Sequence, residues 1–344
     1  MQLIKSDINI DFLGKQKIGI VFSAILIIAS ITGLIVHKGP NYGIDFSGGA
    51  LIQIKFTQDI SIAQVRDSLA GLELKDMSVQ DFGEQKDHEF LIRTASSETV
   101  GKGLSQAVSS AILTGTGMTP EIRRMEMVGP QVGDELKKQA LLAIFYSLLF
   151  ITIYISGRFE LKWILSGVTA GALMTAVYFL SVFNVSMPIL IAGALVVSLV
   201  LFWRLRLKFA MGALIALIHD VFITVGIFSI LNLDFSLPII AALLTIIGYS
   251  LNDTIIVFDR IRENIKGESS RTALPGLFNK SINQTLSRTI LTSFTTLIVL
   301  LALFFLGGDI IHNFAFAMII GVLIGTYSSI FVASPVVLAA SRKG

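Results

Sequence analysis

Two polar residues interrupt an apolar run that is long enough to cross a lipid bilayer. Asn252 and Asp253 lie within "IIGYSLNDTIIVF", and Arg288 lies at the start of the next apolar run, in "NQTLSRTILTS". An ionisable side chain near the bilayer centre costs about 2.5–3.5 kcal/mol on insertion scales, so it persists only where it is paired, hydrated or used. These residue types predict either proton chemistry or an ion pair inside a membrane.

Asp253 and Arg288 are expected to lie at similar depths. Asp253 is roughly 8 Å inside the end of its run at 1.5 Å per helical residue, and one connecting segment joins the two runs. A carboxylate next to a guanidinium stays ionised, whereas a carboxyl group moved into an apolar setting takes up a proton. The pair is interpreted either as a proton switch or as a static ion pair that locks two helices.

Three more polar residues lie in or beside apolar runs. His219 and Asp220, in "LIALIHDVFITV", favour either a proton relay or interhelical hydrogen bonds. One His with one Asp is a poor metal site. Asp309, in "FFLGGDIIHNF", lies at the outer end of a later run, where it either lines a proton entry path or stays solvated in a loop.

Eight apolar runs supply the helices that would hold these residues. A bilayer core of about 30 Å needs roughly 20 apolar residues per helix, and the chain is 53% hydrophobic with a mean hydropathy of +0.76. The first run is too long for a signal-peptide core and is expected to be a retained anchor. The expected spans are 17–36, 138–157, 163–184, 187–203, 209–231, 236–258, 287–307 and 313–339.

The basic residues predict the orientation of the spans. Lys and Arg cluster in alternate short loops and near both ends, while the loops "FNVSM", "LNLDFS" and "LGGDIIHN" contain none. The positive-inside rule then places both termini in the cytoplasm. The expected divisions are a cytoplasmic N-terminus with the first span at 1–36, an external domain at 37–137, and a bundle at 138–344 with a cytoplasmic loop at 259–286.

The external segment predicts a small α+β domain. Alternating strands are expected at 50–56, in "MSVQDFG" and "EFLIRTA", and at 121–128, with helices from Ser61 and over about 98–113. Ser61 and Gln64 have the spacing of a capping box. The resulting βαββαβ order is that of the ferredoxin-like unit.

Several classes of function find no support in the sequence. The chain has no cysteine, which excludes disulfides and zinc–thiolate sites, and it has no Walker-type phosphate loop. We find no nucleophile elbow, metal motif or cofactor loop, so we predict neither an enzyme nor a bound cofactor or metal. The basic residues lie in short loops between apolar runs, so the net charge of +3 does not indicate nucleic-acid binding.

Five stretches, in this order along the chain, make the sequence similar to the SecF family of the resistance-nodulation-division superfamily. A lone "GxDFxGG" would be a weak sign, but the five together are specific. They are "GIDFSGG" at 43–49, "VGPQVGDEL" at 128–136, "ALLTIIGYSLNDTIIVFDRIREN" at 242–264, "SINQTLSRTILTS" at 281–293 and "GTYSSIFVASPVVL" at 325–338.

The resemblance implies a function as well as a fold. Members of this family are inner-membrane subunits that work with SecD beside the SecYEG channel and use the proton-motive force to draw unfolded preproteins across the bacterial membrane. It implies a proton-transport role for Asp253, with Asn252 beside it in "LNDT", and for Arg288 in "LSRT". Asp309 matches the outer "GGD" aspartate. A carboxylate from a SecD-like subunit is expected to complete the site.

The chain departs from the family's six spans at one place. "YISGRFELKW" and "WRLRLKFAMGALIALIHD" are separated by an inserted apolar hairpin at about 163–203. Adding two spans leaves the downstream orientation unchanged. Because the hairpin carries no charge within its spans, we expect it to dock on the lipid-facing periphery.

Two other functions remain open from the sequence. One is a proton-coupled exporter of lipids or small molecules, since related superfamily members use similar intramembrane charges. The other is a static scaffold subunit in which every polar pair is structural.

Overall fold

The computed structural model describes most of the chain. The ranges are 8–72, 74–83, 88–95, 103–181, 185–267 and 274–342. For residues 181, 309, 310 and 342 it describes the backbone but not the side chain. The chain divides into two compact units, Met1–Asn41 with Ala140–Asp234 and Pro238–Gly344, and Tyr42–Gln139 with Phe235–Leu237.

Helices make up most of the described chain. They are α1 (Gln16–Val36), α2 (Ile44–Ser47), α3 (Ile62–Leu69), α4 (Leu104–Thr116), α5 (Pro130–Ile155), α6 (Trp163–Ser181), α7 (Met187–Arg204), α8 (Lys208–Ile230), α9 (Leu237–Gly267), α10 (Leu274–Leu306), α11 (Asp309–Ser328) and α12 (Ser334–Arg342). The strands are β1 (Asn41–Tyr42), β2 (Gly49–Lys55), β3 (Ser78–Phe82), β4 (Glu89–Thr94), β5 (Glu121–Val128) and β6 (Asp234–Phe235).

Within the described residues, eight helical stretches are long and apolar enough to cross a membrane. This confirms the predicted polytopic membrane fold, because hydropathy over about 20 residues is a local property of the sequence. The stretches are Gln16–Val36, Pro130–Glu160, Trp163–Leu180, Met187–Arg204, Lys208–Ile230, Leu237–Gly267, Leu274–Leu306 and Ile311–Ser341.

The segment expected to be a loop at 259–286 is mostly helical. α9 continues to Gly267 and α10 begins at Leu274, so both helices extend past their apolar runs. The extensions are joined by polar contacts, since Asn264 Nδ2 donates to Ser281 Oγ at 2.7 Å and to Gln284 Oε1 at 3.0 Å. These cross-helix bonds add to apolar packing, since Ile261 of α9 and Phe278 of α10 are buried in the same core cluster.

The smaller unit contains the predicted βαββαβ order. Strands β2 to β5 form an antiparallel sheet in the order β3-β4-β2-β5, with α3 and α4 as the two helices. Ile52, Ile54 and Ile92 of the sheet are fully buried together with Val65 of α3 and Val108 of α4. The alternation in the sequence therefore placed one face of the sheet against the helices, as the ferredoxin-like arrangement requires.

Local signals in this unit also appear in the structure. The Ser61 hydroxyl accepts a hydrogen bond from the Gln64 amide at 3.3 Å, and the Gln64 side chain accepts one from the Ser61 amide at 3.0 Å. This reciprocal pair confirms the capping box. The second helix begins at Leu104, and the first part of its predicted range, up to residue 102, lies outside the described residues.

Two of the family-like stretches meet in the smaller unit. A Cβ atom on Gly48 would lie 2.8 Å from the Cα of Pro130, and one on Gly133 would lie 3.0 Å from the Gly48 nitrogen. Both glycines are needed because the two backbones approach each other so closely. In the same unit the Asp45 carboxylate accepts a hydrogen bond from the Leu237 amide at 2.8 Å, which caps the first residue of α9.

α8 packs tightly within the larger unit. A Cβ atom on Gly212 would lie 2.6 Å from Val337, and one on Gly226 would lie 2.1 Å from Ser30. Small residues let membrane helices approach closely, where van der Waals contact drives their association. α8 is therefore in close contact with both α1 and α12.

The inserted hairpin, α6 and α7, forms its own apolar cluster. Phe145 and Leu149 of α5 pack with Leu173 and Val177 of α6 and with Ala194 of α7. Val177 belongs to this cluster and not to the core that surrounds α8 and α9. The remaining large side chains of the hairpin are mostly exposed, among them Ile164, Val168, Ile189 and Val196.

Candidate functional site in the membrane helices

Asp253 is the most isolated acid among the membrane helices described. It lies on α9 and is 1% exposed. Its Oδ2 atom accepts a long hydrogen bond, 3.4 Å, from Ser293 Oγ on α10, and its buried Oδ1 atom has no hydrogen-bond partner. Ser293 also lies 2.7 Å from Thr326 Oγ1 on α11. One carboxylate oxygen is thus left available to hold a proton.

Arg288 and Asn252 lie on the surface of the same two helices. Both side chains are exposed, and neither forms a hydrogen bond or an ion pair with any residue that the structure describes. Arg288 interacts electrostatically with Asp253 but lies beyond the 4.0 Å of a salt bridge. The direct pair considered from the sequence is not formed, because Asp253 faces the interior of the bundle and Arg288 faces outward.

His219 and Asp220 belong to a second, fully satisfied cluster. Asp220 Oδ2 accepts hydrogen bonds from Ser250 Oγ of α9 at 2.6 Å and from Ser328 Oγ of α11 at 2.7 Å. Asp220 Oδ1 lies 2.9 Å from His219 Nδ1. The carboxylate of α8 is therefore tied to two neighbouring helices, which confirms interhelical hydrogen bonding as one role of this residue.

The second cluster continues to α1 through the other ring nitrogen of His219. His219 Nε2 lies 3.0 Å from Ser23 Oγ, and Ser23 Oγ lies 2.9 Å from the Tyr327 hydroxyl. Tyr327 donates in turn to the carbonyl oxygen of Gly19. A buried polar chain thus links α1, α8, α9 and α11.

Three consecutive residues of α11 touch both clusters. Thr326 contacts Ser293, the partner of Asp253, while Tyr327 and Ser328 contact the cluster of His219. A π-helical turn, Ser329–Ala333, follows immediately. Such turns insert one extra residue into a helix and often occur at functional sites.

Polar residues at the ends of the spans form a separate cluster. Arg158 donates to Asp259 at 2.7 Å, Arg260 pairs with Glu263 at 3.0 Å, and Arg262 donates to the carbonyl oxygen of Arg158 at 2.9 Å. These contacts join the part of α9 beyond its apolar run to the turn that follows α5.

Comparison with known proteins gives a consistent result. Residues 108–197 and 182–343 match the family described as "Protein export membrane protein SecD/SecF, C-terminal", and residues 33–60 match the "SecD/SecF GG Motif". The protein translocase subunit SecF of Calditerrivibrio nitroreducens is 39% identical over 343 residues, covering 98% of this chain and 96% of the relative. That of Vibrio alginolyticus is 41% identical over 339 residues, with coverages of 98% and 91%. The chain belongs to the SecF family.

Two solved structures resemble the whole chain. SecDF from Thermus thermophilus, described as a translocon-associated membrane protein, has a TM-score of 0.71 and 30% identity and covers 99% of this chain. A SecDF structure in a super-membrane-facing form has a TM-score of 0.62 and 31% identity and covers 100%. In both cases the match spans only 40% of the SecDF chain. This SecF-family chain is therefore a multi-pass subunit of the Sec translocase and corresponds to part of those longer chains.

The SecF family match is divided into two pieces that overlap at 182–197. The overlap falls largely within α7, the second helix of the hairpin that the sequence marks as inserted. The two pieces of the match therefore meet within this hairpin.

The sequence identified the ionisable residues of the SecF site but not their partners. Asp253 and Asp220 are buried as predicted, whereas Ser250, Ser293, Ser328 and Tyr327 were not recognised as site residues. The small residues of "GVLIGTYSSI" at 321–330 have the spacing that lets membrane helices pack closely. The glycines of this stretch do pack, since a Cβ atom on Gly321 would lie 2.3 Å from Ile246, but its hydroxyl groups are the signal that could have revealed the second cluster.

The sequence also singled out Asp309 and predicted no metal site. Asp309 is the first residue of α11, and its side chain lies outside what the structure describes. In the described part of this SecF-family chain, no group of three His, Asp or Glu residues could hold a metal ion.

Proposed function

We propose that this translocase subunit couples proton movement at Asp253 to preprotein export, together with a SecD-like subunit beside the SecYEG channel. The observation that carries the proposal is the environment of Asp253, which is buried in a span with one carboxylate oxygen lacking any partner. A buried charge without hydrogen bonds is costly, so such a group gains and loses protons when its surroundings change.

Arg288 supports this role through its position on the adjacent helix. Its guanidinium group interacts with Asp253 electrostatically without being bonded to it. A movement of α10 relative to α9 that brings the two groups into contact would make the carboxyl group release its proton. Asn252, next to Asp253, lies on the same surface as Arg288 and is assigned to the same proton pathway.

The exposed polar face of α9 and α10 favours a partner in the membrane. Asn252 and Arg288, with Thr245 and Thr295, are exposed on this face although they lie within spans. Polar groups facing lipid are costly, and an arginine inside the bilayer normally pairs with a carboxylate or with backbone carbonyls. We assign this face to a SecD-like subunit that supplies a carboxylate, and the SecDF relatives, whose chains are much longer than this one, are consistent with such a partner.

His219 and Asp220 are assigned a positioning role rather than a relay. Both oxygens of Asp220 are satisfied by His219, Ser250 and Ser328, in contrast to those of Asp253. These bonds tie α8 to α9 and α11, which supports a role in holding the helices in place around Asp253. We assign Asp309, at the start of α11, to the outer mouth of the pathway.

The energy available from one proton is sufficient for a conformational bias. One elementary charge crossing 100 mV releases about 2.3 kcal/mol, and states that differ by a few kcal/mol are shifted substantially by that amount. We infer the orientation of the chain in the membrane from the basic loops. By the positive-inside rule, both termini lie in the cytoplasm and residues 37–137 lie in the periplasm.

The test is preprotein translocation into vesicles that contain the complete translocase, with and without a proton gradient. D253N should lose the gradient-stimulated part of export, and R288K should lose most of it, because a lysine cannot reproduce the fork of the guanidinium group. D259N is the matched control, since Asp259 is an acid on the same helix that forms an interfacial ion pair. Gradient-stimulated export that survives in both D253N and R288K would leave only a static scaffold role.

A further inference from the structure

A small cavity lies at the turn between α7 and α8. Its volume is about 250 Å³, and Arg204, Arg206 and Lys208 line it together with Trp203 and Ala340. The turn reads "RLRLK", so cations alternate with leucines. Leu207 is fully buried, and the cations on either side of it remain accessible to the cavity.

The contacts of the three cations indicate what the cavity can bind. Among the residues described, none forms an ion pair or a side-chain hydrogen bond with Arg204, Arg206 or Lys208. The nearby acid, Glu160, forms no ion pair with these cations. Its Oε1 atom accepts a hydrogen bond from the Phe209 amide at 2.9 Å, and its buried Oε2 atom has no hydrogen-bond partner among the described residues. Three positive charges that line one cavity, without an ion-pair partner among the described residues, favour an anionic ligand.

Two other cations at the ends of the spans are paired with acids within the chain. Arg158 pairs with Asp259, and Arg260 pairs with Glu263. Lys162 donates to the carbonyl oxygen of Leu205 at 2.9 Å, which fixes the turn beside the cavity. Some other cations at span ends, such as Lys266, also have no ion pair among the described residues. What distinguishes this turn is that three such cations line one cavity.

The position of the cavity indicates a lipid and not a dissolved anion. The turn connects the ends of two spans, Met187–Arg204 and Lys208–Ile230, so it lies at the membrane boundary. The exposed Trp203 is of the type that sits at headgroup level, and apolar Val196 and Val200 are exposed along α7, where acyl chains would run. The volume is below the about 300–1,000 Å³ of sites that enclose larger soluble ligands.

We propose that this cavity binds the phosphate headgroup of an anionic phospholipid on the side of the membrane that carries the basic loops. Arg204, Arg206 and Lys208 hold the phosphate, and the outer face of α7 contacts the acyl chains. Basic pockets between membrane helices commonly hold anionic headgroups. The site depends on α7, the second helix of the inserted hairpin, and is independent of the proton pathway.

Trp203 provides a direct measurement. The chain has two tryptophans, Trp163 and Trp203, so a W163F background leaves one fluorophore beside the cavity. The full chain is reconstituted in phosphatidylethanolamine bilayers, and quenching of Trp203 is followed as brominated phosphatidylglycerol or brominated phosphatidylethanolamine is added. Phosphatidylglycerol should quench at several-fold lower mole fraction, and R204Q/R206Q should reduce that preference about fivefold for each cation removed.

Two further variants make the test specific. R260Q removes a cation from the same side without touching the cavity and should leave the preference unchanged. A340F fills the cavity while keeping all three cations, and it should reduce the preference as strongly as the double variant. Melting temperatures of the purified proteins verify that each variant is folded.

Three outcomes would overturn the proposal. Equal quenching by the two lipids would show that no anionic lipid is selected. If R260Q reduced the preference for phosphatidylglycerol as much as R204Q/R206Q does, the preference would come from the general surface charge and not from this cavity. Full competition by millimolar glycerol phosphate would show that the site takes a dissolved phosphate and not a lipid.

Discussion

The two hairpins that follow α5 are similar in sequence but differ in their surroundings. "RFELKW" leads into α6 and "RLRLKF" leads into α8, and the second helices begin with "SMPI" and "SLPI". Yet the windows that define α8 and α9 as spans are 61% and 56% buried, whereas those of α6 and α7 are 22% and 17% buried. Hydropathy alone therefore does not decide which hairpin enters the core of the bundle.

Polar side chains and close backbone contacts make the difference. α8 and α9 carry Asp220 and Asp253, and the glycines of α8 lie against other helices. Gly167, Gly171 and Gly193 of α6 and α7 have no atom within 4 Å of the place where a Cβ would lie. The core hairpin is thus held by specific contacts. The inserted hairpin is held by apolar contact with α5 and, through the buried Phe202 of α7, with the core cluster around α8.

The largest effect is expected when the acid of α8 is removed. D220A leaves Ser250, Ser328 and His219 without their acceptor, so the free energy of unfolding should fall by about 3 kcal/mol. Unfolding in mixed micelles of increasing SDS content measures it. The control is I164A on α6, where an exposed side chain should change stability by less than about 0.5 kcal/mol. Similar losses in both variants would contradict the distinction between the hairpins.

A smaller effect is expected from filling the space at a glycine. G226V should destabilise by about 2 kcal/mol, since its side chain would meet Ser30 of α1 and force the helices apart. G193V on α7 adds the same atoms in open space and should change stability by no more than about 0.5 kcal/mol. The same unfolding titration separates them, and a large loss in G193V would show that the outer hairpin is packed against a partner.

Lys162 tests how the two hairpins are joined. K162M removes the bond to the Leu205 carbonyl and should lower the free energy of unfolding by about 1 kcal/mol. K266M removes an exposed lysine from the end of α9 and serves as the control. An unchanged stability in K162M would mean that apolar packing alone fixes the turn.

The smallest effect on export is expected when the inserted hairpin is deleted. Removing residues 163–208 joins "YISGRFELK" to "FAMGALIALIHD" and keeps Glu160 in place to cap α8. Gradient-stimulated translocation should stay within roughly a factor of two, because the mutual contacts of α8, α9 and α11 remain. The selection of anionic lipid should disappear. Loss of export in a folded deletion variant would show that the outer hairpin takes part in transport.

The sequence predicted whatever depends on local pattern. The eight spans, the capping box at Ser61 and the strand Glu121–Val128 follow from hydropathy, spacing and alternation over short windows. The sequence also allowed a direct contact between Asp253 and Arg288, which the structure does not form. Such a contact depends on how each helix is rotated in the bundle, and local pattern does not determine that rotation. The serine partners were missed since a serine in a membrane helix can also bond to its own backbone, as Ser198 does with Ala194.

The sequence of α11 places Thr326, Tyr327 and Ser328 side by side, one turned toward Ser293 and two toward α1 and α8. Rotation of this helix about its axis would disturb all of these bonds in a single movement. Asp253, which has one unpaired oxygen, and the fully hydrogen-bonded Asp220 are therefore coupled, because one rotation of α11 changes the surroundings of both.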